Sequence, residues 1–300
     1  MQGRITKEYT VAGHRFAFTA EQKSAVWDML PNYTPFIADA GIPAELIFRM
    51  EINRSDILER PAGAKPVYVG ITEPEEPRID MYSVTDGWWV EMAPDSTMQP
   101  VATLQIRNGF SHGILTYTAS NMARFAVDSA AMLLFAFSTA NLNTLEMHSS
   151  VVMKDERAYM FLAKSGTGKS THSRMWLENI PGTELLNDDN PIVRIFADGS
   201  TKVFGSPWSG KTPCYRNRSA ELGAMVLIRR CPENRISQPS IPEMYSIILS
   251  SASGCRSIGN MADGLHNSIS AIALSGCCYI LDCRPDAQAA EICSKAVCRP

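Results

Sequence analysis

Ala163-Lys164-Ser165-Gly166-Thr167-Gly168-Lys169-Ser170-Thr171 is a glycine-rich segment that directly follows an apolar run at residues 159–162. Glycines let several backbone N–H groups point into one concavity, and a helix that begins near Lys169 adds the positive end of its dipole. In loops of this kind the lysine reaches the β- and γ-phosphates of a nucleotide, and the serine hydroxyl faces Mg²⁺. The segment therefore predicts a site for a nucleoside triphosphate, ATP or GTP, with Mg²⁺, in which residues 165–171 contact the phosphates.

The loop departs by one residue from the usual phosphate-binding pattern, because Ala163 occupies the position of its first glycine. A methyl group is tolerated there if φ stays negative. The alternative interpretation is a chance turn between a strand and a helix. The apolar strand before the loop and the helix expected from Ser170 to Glu178 favour the phosphate-binding interpretation. His172, within that helix, is expected on its surface.

An acidic pair, Asp188-Asp189, ends the next expected strand, residues 183–187. Phosphoryl transfer needs one group that holds Mg²⁺ and one that accepts the proton of the attacking hydroxyl. Adjacent carboxylates at a strand end can reach these two different partners. The alternative is a solvated Asp-Asp-Asn turn. Since the phosphate loop precedes the pair by a single helix, we favour the functional interpretation.

The phosphate loop is expected to hang from an antiparallel hairpin. Residues 148–153 and 158–162 are β-prone, and the four residues between them are too few for a parallel crossover. Residues 1–112 contain short β-prone runs, with tight-turn signals at Ala12-Gly13 and Asp86-Gly87. A buried helix is expected from about residue 121 to 141. We therefore predict an α/β (α+β) chain with a smaller β-rich domain at 1–112 and a nucleotide-binding domain with a mixed, hairpin-rich sheet at 113–300.

The order of His148, a Gly-x-Gly-Lys-Ser loop, one helix and an Asp-Asp strand end resembles the catalytic domain of the HPr kinase/phosphorylase family, whose nucleotide-binding core is shared with phosphoenolpyruvate carboxykinases. The resemblance is specific over residues 145–196. In addition, the segment Gly205-Ser206-Pro207-Trp208-Ser209-Gly210-Lys211 is similar to one in HPr-kinase-related proteins.

The resemblance implies a P-loop kinase that transfers the γ-phosphoryl group of ATP to a hydroxyl, with serine, free or in a protein or peptide, as the acceptor. Site positions then fall on His148, Lys169, Ser170, Asp188 and Asp189. It also implies a homo-oligomer. Thr171 stands where HPr kinases usually carry glutamate, which argues against a second metal contact from that position. The family's C-terminal docking signature for HPr is not recognisable, which argues against HPr itself as the substrate.

The expected roles follow from this reading. Lys169 and the loop amides bind phosphate, Ser170 and Asp188 (or Asp189) hold the metal, and the other aspartate is the base. His148 either supports this base or protonates phosphate in the reverse reaction. Lys211 either clamps phosphate or belongs to a connecting loop with solvated charges; Trp208 nearby could stack on a base. The competing class is a regulatory or scaffold protein that binds nucleotide without turnover, which the departures at Ala163 and Thr171 leave open.

Composition limits the partners. The 300-residue chain carries a formal net charge of −3, with 45% hydrophobic and 20% charged residues, so nucleic acid and anionic membrane are not expected as main partners. The N-terminus lacks an apolar stretch of signal-peptide type, so we expect a cytoplasmic protein. The eight cysteines form no Cys-x-x-Cys pair, which is poor spacing for zinc.

Overall fold

The computed structural model describes residues 3–41, 44–70, 76–164, 166–210 and 212–298. Ser165 and Lys211, two of the expected phosphate ligands, lie outside the described residues. The chain divides into two compact units. Unit 1 is Met1–Thr139 with Gly254–Ala262, and unit 2 is Ala140–Ser253 with Asp263–Pro300.

Both units of the chain contain strands and α-helices, giving a mixed α/β protein. The strands are β1 (Arg4–Val11), β2 (His14–Glu21), β3 (Leu46–Arg54), β4 (Lys65–Val69), β5 (Arg78–Val84), β6 (Gly87–Ala93), β7 (Ala102–Arg107), β8 (His112–Tyr117), β9 (Thr144–Glu146), β10 (Ser149–Lys154), β11 (Arg157–Leu162), β12 (Glu184–Asp189), β13 (Ile192–Ile195), β14 (Thr201–Phe204), β15 (Ser219–Arg230), β16 (Arg235–Ser237) and β17 (Cys278–Cys283). The helices are α1 (Ala123–Thr139), α2 (Lys169–Asn179), α3 (Ile241–Ser251), α4 (Gly259–Leu274) and α5 (Ala287–Val297).

Unit 1 contains a mixed sheet, whose described strands lie in the order β1-β2-β3-β8-β7-β6-β5-β4. The two hairpins predicted from tight-turn signals are confirmed. Ala12 and Gly13 have φ angles of 51° and 78°, the left-handed conformation of a two-residue hairpin turn. The second turn joins β5 to β6 immediately before Gly87. β3 pairs in parallel with both β2 and β8, which makes the sheet mixed.

Helix α1 packs on β3 and β8 within unit 1. Its apolar face, which includes Ala126, Ala130 and Leu134, is fully buried. The predicted boundary near residue 112 therefore differs from the structure, because β8 and α1 complete the core of unit 1. The segment Ser120–Thr139 is long and apolar enough to cross a membrane by length and composition, but 56% of its most apolar window is buried in the protein, and a core helix passes the same test.

Unit 2 contains a second mixed sheet. Its described strands follow the order β12-β10-β11-β15-β14-β13-β9, and β17 pairs with β15 and β16. The predicted hairpin is confirmed, since β10 and β11 are antiparallel from Ser149 opposite Leu162 to Lys154 opposite Arg157. β15 runs parallel to β11 and to β17. The phosphate loop thus follows an antiparallel hairpin strand that also has a parallel neighbour.

Strand register brings the candidate residues to one edge of this sheet. Ser149, at the start of β10, lies opposite Leu162 at the end of β11 and opposite Asp189 at the end of β12. His148, the phosphate loop and the acidic pair consequently meet at this edge. Helices α2 and α5 cover one face of the same sheet, where Phe161 and the fully buried Trp176 belong to a continuous apolar core.

Candidate functional site

The phosphate loop joins the end of β11 to the start of α2. Gly166 and Gly168 have φ angles of 71° and 128°, which side chains other than glycine rarely adopt. A Cβ atom at either position would meet nothing within 4 Å, so backbone conformation, not crowding, requires the glycines. Among the residues that the structure describes, no side chain caps α2 at Gly168. Its first N–H groups therefore remain open to an anion.

Arg230, the last residue of β15, holds the loop from the side. Its Nε donates to the carbonyl oxygen of Thr167 at 3.1 Å, and its Nη2 donates to that of Gly166 at 2.7 Å. These bonds turn the two carbonyl groups toward the guanidinium. The parallel pairing of β11 with β15 brings Arg230 to the loop.

Lys169, His148 and Asp189 form a connected chain of side chains. The Nζ of Lys169 lies 2.6 Å from the Nε2 of His148, and the Nδ1 of His148 lies 3.1 Å from the Oδ1 of Asp189. With Lys169 donating as an ammonium, Nε2 must accept and Nδ1 carries the proton toward Asp189. The backbone N–H of His148 donates to the carbonyl of Ser251 at 2.7 Å, which anchors the histidine.

Burial at the edge of the sheet lowers the pKa of Lys169 from its ordinary value. The carboxylates of Asp189 and Asp188 act in the opposite direction but do not cancel the loss of solvation. The side chain of Lys169 therefore loses its proton more readily than that of a surface lysine.

Ser170 and Asp188 form the second pair at the site. The Oγ of Ser170 donates to the Oδ1 of Asp188 at 2.9 Å. The Oδ2 of Asp188 is buried and has no hydrogen-bond partner among the described residues. An orphaned carboxylate oxygen beside a hydroxyl fits a small divalent cation that takes its other ligands from phosphate and water. Within the described part of the chain, no cluster of three His, Cys, Asp or Glu residues offers a metal site made by protein alone.

The backbone at Asp189 is strained. Its φ angle is 137°, a value rare for residues with a side chain. Asp189 forms an isolated β-bridge with Ser209, whose Oγ donates to the carbonyl of Asp188 at 3.0 Å. A Cβ atom on Gly210 would lie only 3.1 Å from the Cβ of Asp189. Ser209 and Gly210 thus fix the position of the acidic pair.

A buried polar network lies behind the acidic pair. The Nδ2 of Asn187 donates to the Oγ of Ser206 at 3.2 Å and to the carbonyl of Trp208 at 3.1 Å. Its Oδ1 accepts from the N–H of Asn190 at 3.0 Å. Trp208 is only 2% exposed and belongs to this core, so the interpretation of Trp208 as a base-stacking residue is wrong.

Glu146 and His172 are two buried groups that sequence reasoning did not identify. Glu146, 3% exposed, ends β9, and burial together with the nearby carboxylate of Asp189 raises its pKa to about 8. It is therefore protonated at neutral pH. His172, expected on the helix surface, is 4% exposed, and burial lowers its pKa to about 4. The indole N–H of Trp176, one turn later, donates to the Nε2 of His172 at 3.1 Å.

Two cavities flank helix α2. The larger one, about 630 Å³, lies toward the ends of β15 and β17 and includes Thr167, Gly168 and Thr171 in its lining. The smaller one, about 370 Å³, is lined by Ser170, Asp188 and further polar residues, and it shares Thr171 with the first. The start of α2 therefore separates a larger cavity from a cavity beside the acidic pair.

No protein-family model matches the sequence, and no curated protein matches it. Among solved structures, the chain is similar to the Hpr(Ser) kinase/phosphatase from Coxiella burnetii. The similarity has 12% sequence identity and a TM-score of 0.23, and it covers 31% of this chain and 77% of that chain. A TM-score of this size is too low to support a functional assignment, so the function proposed below rests on the geometry of the site.

Proposed function

We propose that unit 2 binds ATP or GTP with Mg²⁺ and transfers the γ-phosphoryl group to a hydroxyl acceptor. The HPr kinase-like assignment, with serine as the acceptor, belongs to this proposal through the sequence resemblance. The observation that carries it is that one sheet edge brings together, through hydrogen bonds, the side chains of Lys169, Ser170, Asp188, Asp189 and His148. Chance placement of charged turns would leave these groups apart.

The open N–H groups at the start of α2 and the ammonium of Lys169 would bind the β- and γ-phosphates. Ser170 and the orphaned Oδ2 of Asp188 would hold Mg²⁺, which neutralises charge on the phosphates when bound. The acceptor oxygen forms a bond to the γ-phosphorus, and the bond from that phosphorus to the β–γ bridging oxygen breaks. The proton of the acceptor passes to the carboxylate of Asp189.

His148 is the positioning residue in this scheme. Its Nδ1–H holds the Oδ1 of Asp189, while Nε2 accepts from Lys169. The imidazole therefore fixes the distance between the residue that binds phosphate and the residue that accepts the proton. Glu146, neutral and buried nearby, adds no second charge beside Asp189.

The test is ADP formation from Mg·ATP, measured with free serine, with serine-containing peptides and with water alone. We expect Lys169→Ala to lower phosphoryl transfer by about 10²–10³-fold, the usual loss when a group that stabilises transition-state charge is removed. Lys164→Ala is the matched control, because Lys164 is an exposed lysine in the same loop. Equal transfer by both variants would sink the proposal.

The second candidate is a nucleotide-binding regulatory protein without turnover. One observation favours it: both oxygens of Asp189 already have partners, since Oδ2 accepts from the side chain of Asn190 at 3.1 Å and Oδ1 lies beside His148. Tight nucleotide binding with no ADP in any acceptor mixture would select this candidate. ADP release that depends on Asp189 would reject it.

A further inference from the structure

We infer that the 630 Å³ cavity between α2 and the ends of β15 and β17 holds the base and ribose of the nucleotide, and that the cavity beside Asp188 receives the acceptor. This assignment rests on the proposed function, because it presumes that phosphates bind at the start of α2. It goes beyond that function by giving the bound nucleotide a direction across the loop.

The positions of the two cavities set that direction. The γ-phosphate and metal belong near Ser170 and Asp188, which line the smaller cavity. The larger cavity lies on the other side of the loop, where Thr167 and Gly168 are part of its lining. Since a triphosphate has its nucleoside at the end opposite the γ-phosphate, the nucleoside falls on the β15 and β17 flank.

The lining of the larger cavity suits a planar base joined to a phosphate chain. Met175, Ile228 and Pro285 give apolar walls, and Arg230 adds positive charge to the lining. Arg284 also lines the cavity, with its guanidinium paired to Asp286. Its volume lies within the range of about 300–1,000 Å³ typical of small-molecule sites. The smaller cavity, with a hydroxyl and a carboxylate in its lining, is the more polar place for a hydroxyl acceptor.

His172 supplies an independent reason to place a polar ligand there. It lines the cavity and is 4% exposed, and its Nε2 accepts from the indole of Trp176. This bond fixes the tautomer in which Nδ1 carries the proton. Nδ1 has no acceptor among the described residues, so the imidazole keeps one donor for an acceptor atom of a base.

The first experiment compares ATP with inorganic tripolyphosphate by isothermal titration calorimetry. We expect Cys231→Trp, which adds bulk to a half-buried residue of the cavity lining, to weaken ATP binding by about tenfold or more and to change tripolyphosphate binding by less than about twofold. Circular dichroism checks the fold of the variant. Lys169→Ala should weaken both ligands, because it removes a phosphate contact.

The second experiment uses the parent protein and therefore needs no variant to fold. The rate of iodoacetamide alkylation at Cys231 is measured by peptide mass spectrometry, with the half-buried Cys277, which does not line the cavity, as the internal control. ATP at about ten times its Kd should slow alkylation of Cys231 by about tenfold, and tripolyphosphate should leave it within about twofold.

The outcomes separate the two levels of inference. Both ATP and tripolyphosphate could bind while ATP leaves the alkylation rate of Cys231 unchanged and Cys231→Trp leaves ATP affinity unchanged. In that case the nucleoside assignment is wrong and the phosphate site stands. If neither ligand binds, the proposed function fails and the cavity assignment fails with it. Protection of Cys231 by ATP alone, with Cys277 unchanged, supports both.

Discussion

The phosphate-binding half and the acidic half of the site are built in opposite ways. In the phosphate loop, Gly166 and Gly168 stand in open space, and beyond Arg230 few side chains hold the backbone. In the acidic half, Asp188 and Asp189 are surrounded by the network of Asn187 and by the segment at Ser209 and Gly210. A Cβ atom added to Gly210 would lie only 3.1 Å from Asp189 and would force it to shift. One half is shaped by backbone conformation and the other by packed side chains.

This difference indicates how far the geometry of each half is formed before the ligand binds. The loop presents N–H groups that a phosphate can order when it arrives, so its geometry need not be complete beforehand. The carboxylates must already be placed, because catalysis falls steeply when a reacting group moves by about 1 Å. Changes in the acidic half should therefore act on the transfer rate, and changes in the loop backbone or in Arg230 should act on nucleotide affinity. Lys169, which contacts phosphate in both the ground state and the transition state, should affect both quantities.

The largest expected effect is that of Asp189→Asn. An amide cannot accept the acceptor proton, so the transfer rate should fall by about 10³-fold, within the range of general base catalysis. Nucleotide affinity should change little, because the loop and Lys169 are intact. Steady-state kinetics and calorimetry on the same preparation measure both quantities. Asp198→Asn, at an exposed turn, is the control, and a parallel loss in that variant would contradict the division.

Glu146→Gln tests whether ionisation of Glu146 makes the free energy of unfolding depend on pH. The pKa of Glu146 is raised to about 8 in the folded protein, so the folded state keeps a proton that the unfolded state releases above about pH 4.5. The titration of Glu146 therefore leaves the free energy of unfolding unchanged below about pH 4.5. As pH rises from there to about 8, it lowers that free energy by an amount on the order of a few kcal/mol.

Glutamine cannot ionise, so Glu146→Gln should raise the thermal midpoint over the parent more at pH 8.5 than at pH 5.5. Differential scanning fluorimetry at both pH values measures this difference. Glu178→Gln, on the exposed face of α2, should show no such trend. A midpoint difference that is the same at both pH values would mean that Glu146 is ionised in the folded protein.

Gly210→Ala should reduce the transfer rate by about tenfold. The new Cβ would lie 3.1 Å from the Cβ and 3.2 Å from the Cγ of Asp189, so the carboxylate must shift by a few tenths of an ångström. Gly259→Ala, where φ is not left-handed and a Cβ meets nothing within 4 Å, controls for the backbone effect of alanine. A loss of nucleotide affinity instead of rate would break the division between the two halves.

The smallest effect is expected for Arg230→Ala. Its two bonds to the carbonyls of Gly166 and Thr167 are partly exposed, and losing them should weaken ATP binding by about threefold with little change in kcat. Arg229→Ala, the neighbouring strand residue whose guanidinium pairs with Glu243, is the matched control. An equal drop in kcat for Arg230→Ala would show that the loop also sets the rate.

Local patterns predicted much of unit 2. The turn between β10 and β11, the helix after Gly168 and the strand that ends in Asp189 all follow from short-range signals, and the structure confirms them. Strand register then places His148 beside the acidic pair. The predicted domain boundary near residue 112 differs from the structure, because the boundary depends on long-range strand pairing. β8 pairs in parallel with β3 and so belongs to the sheet of unit 1.

The missed residues share one physical cause. Glu146, Asn187 and His172 are polar side chains whose burial depends on strands and loops distant in sequence, and composition alone makes such residues look solvated. The bond from Trp176 to His172 had a local signal, since the residues are four apart on a helix. The contact of Arg230 with the loop had none, because 63 residues separate it from Thr167.

The half-buried ammonium of Lys169 links nucleotide binding to proton uptake and thereby to the measured enthalpy of binding. Its pKa lies below the ordinary value without ligand, and a bound triphosphate would raise it by supplying negative charge. Between these two pKa values, nucleotide binding must take up a proton from solution. The calorimetric enthalpy of binding at alkaline pH should therefore vary with the ionisation enthalpy of the buffer, and this variation should disappear in Lys169→Ala.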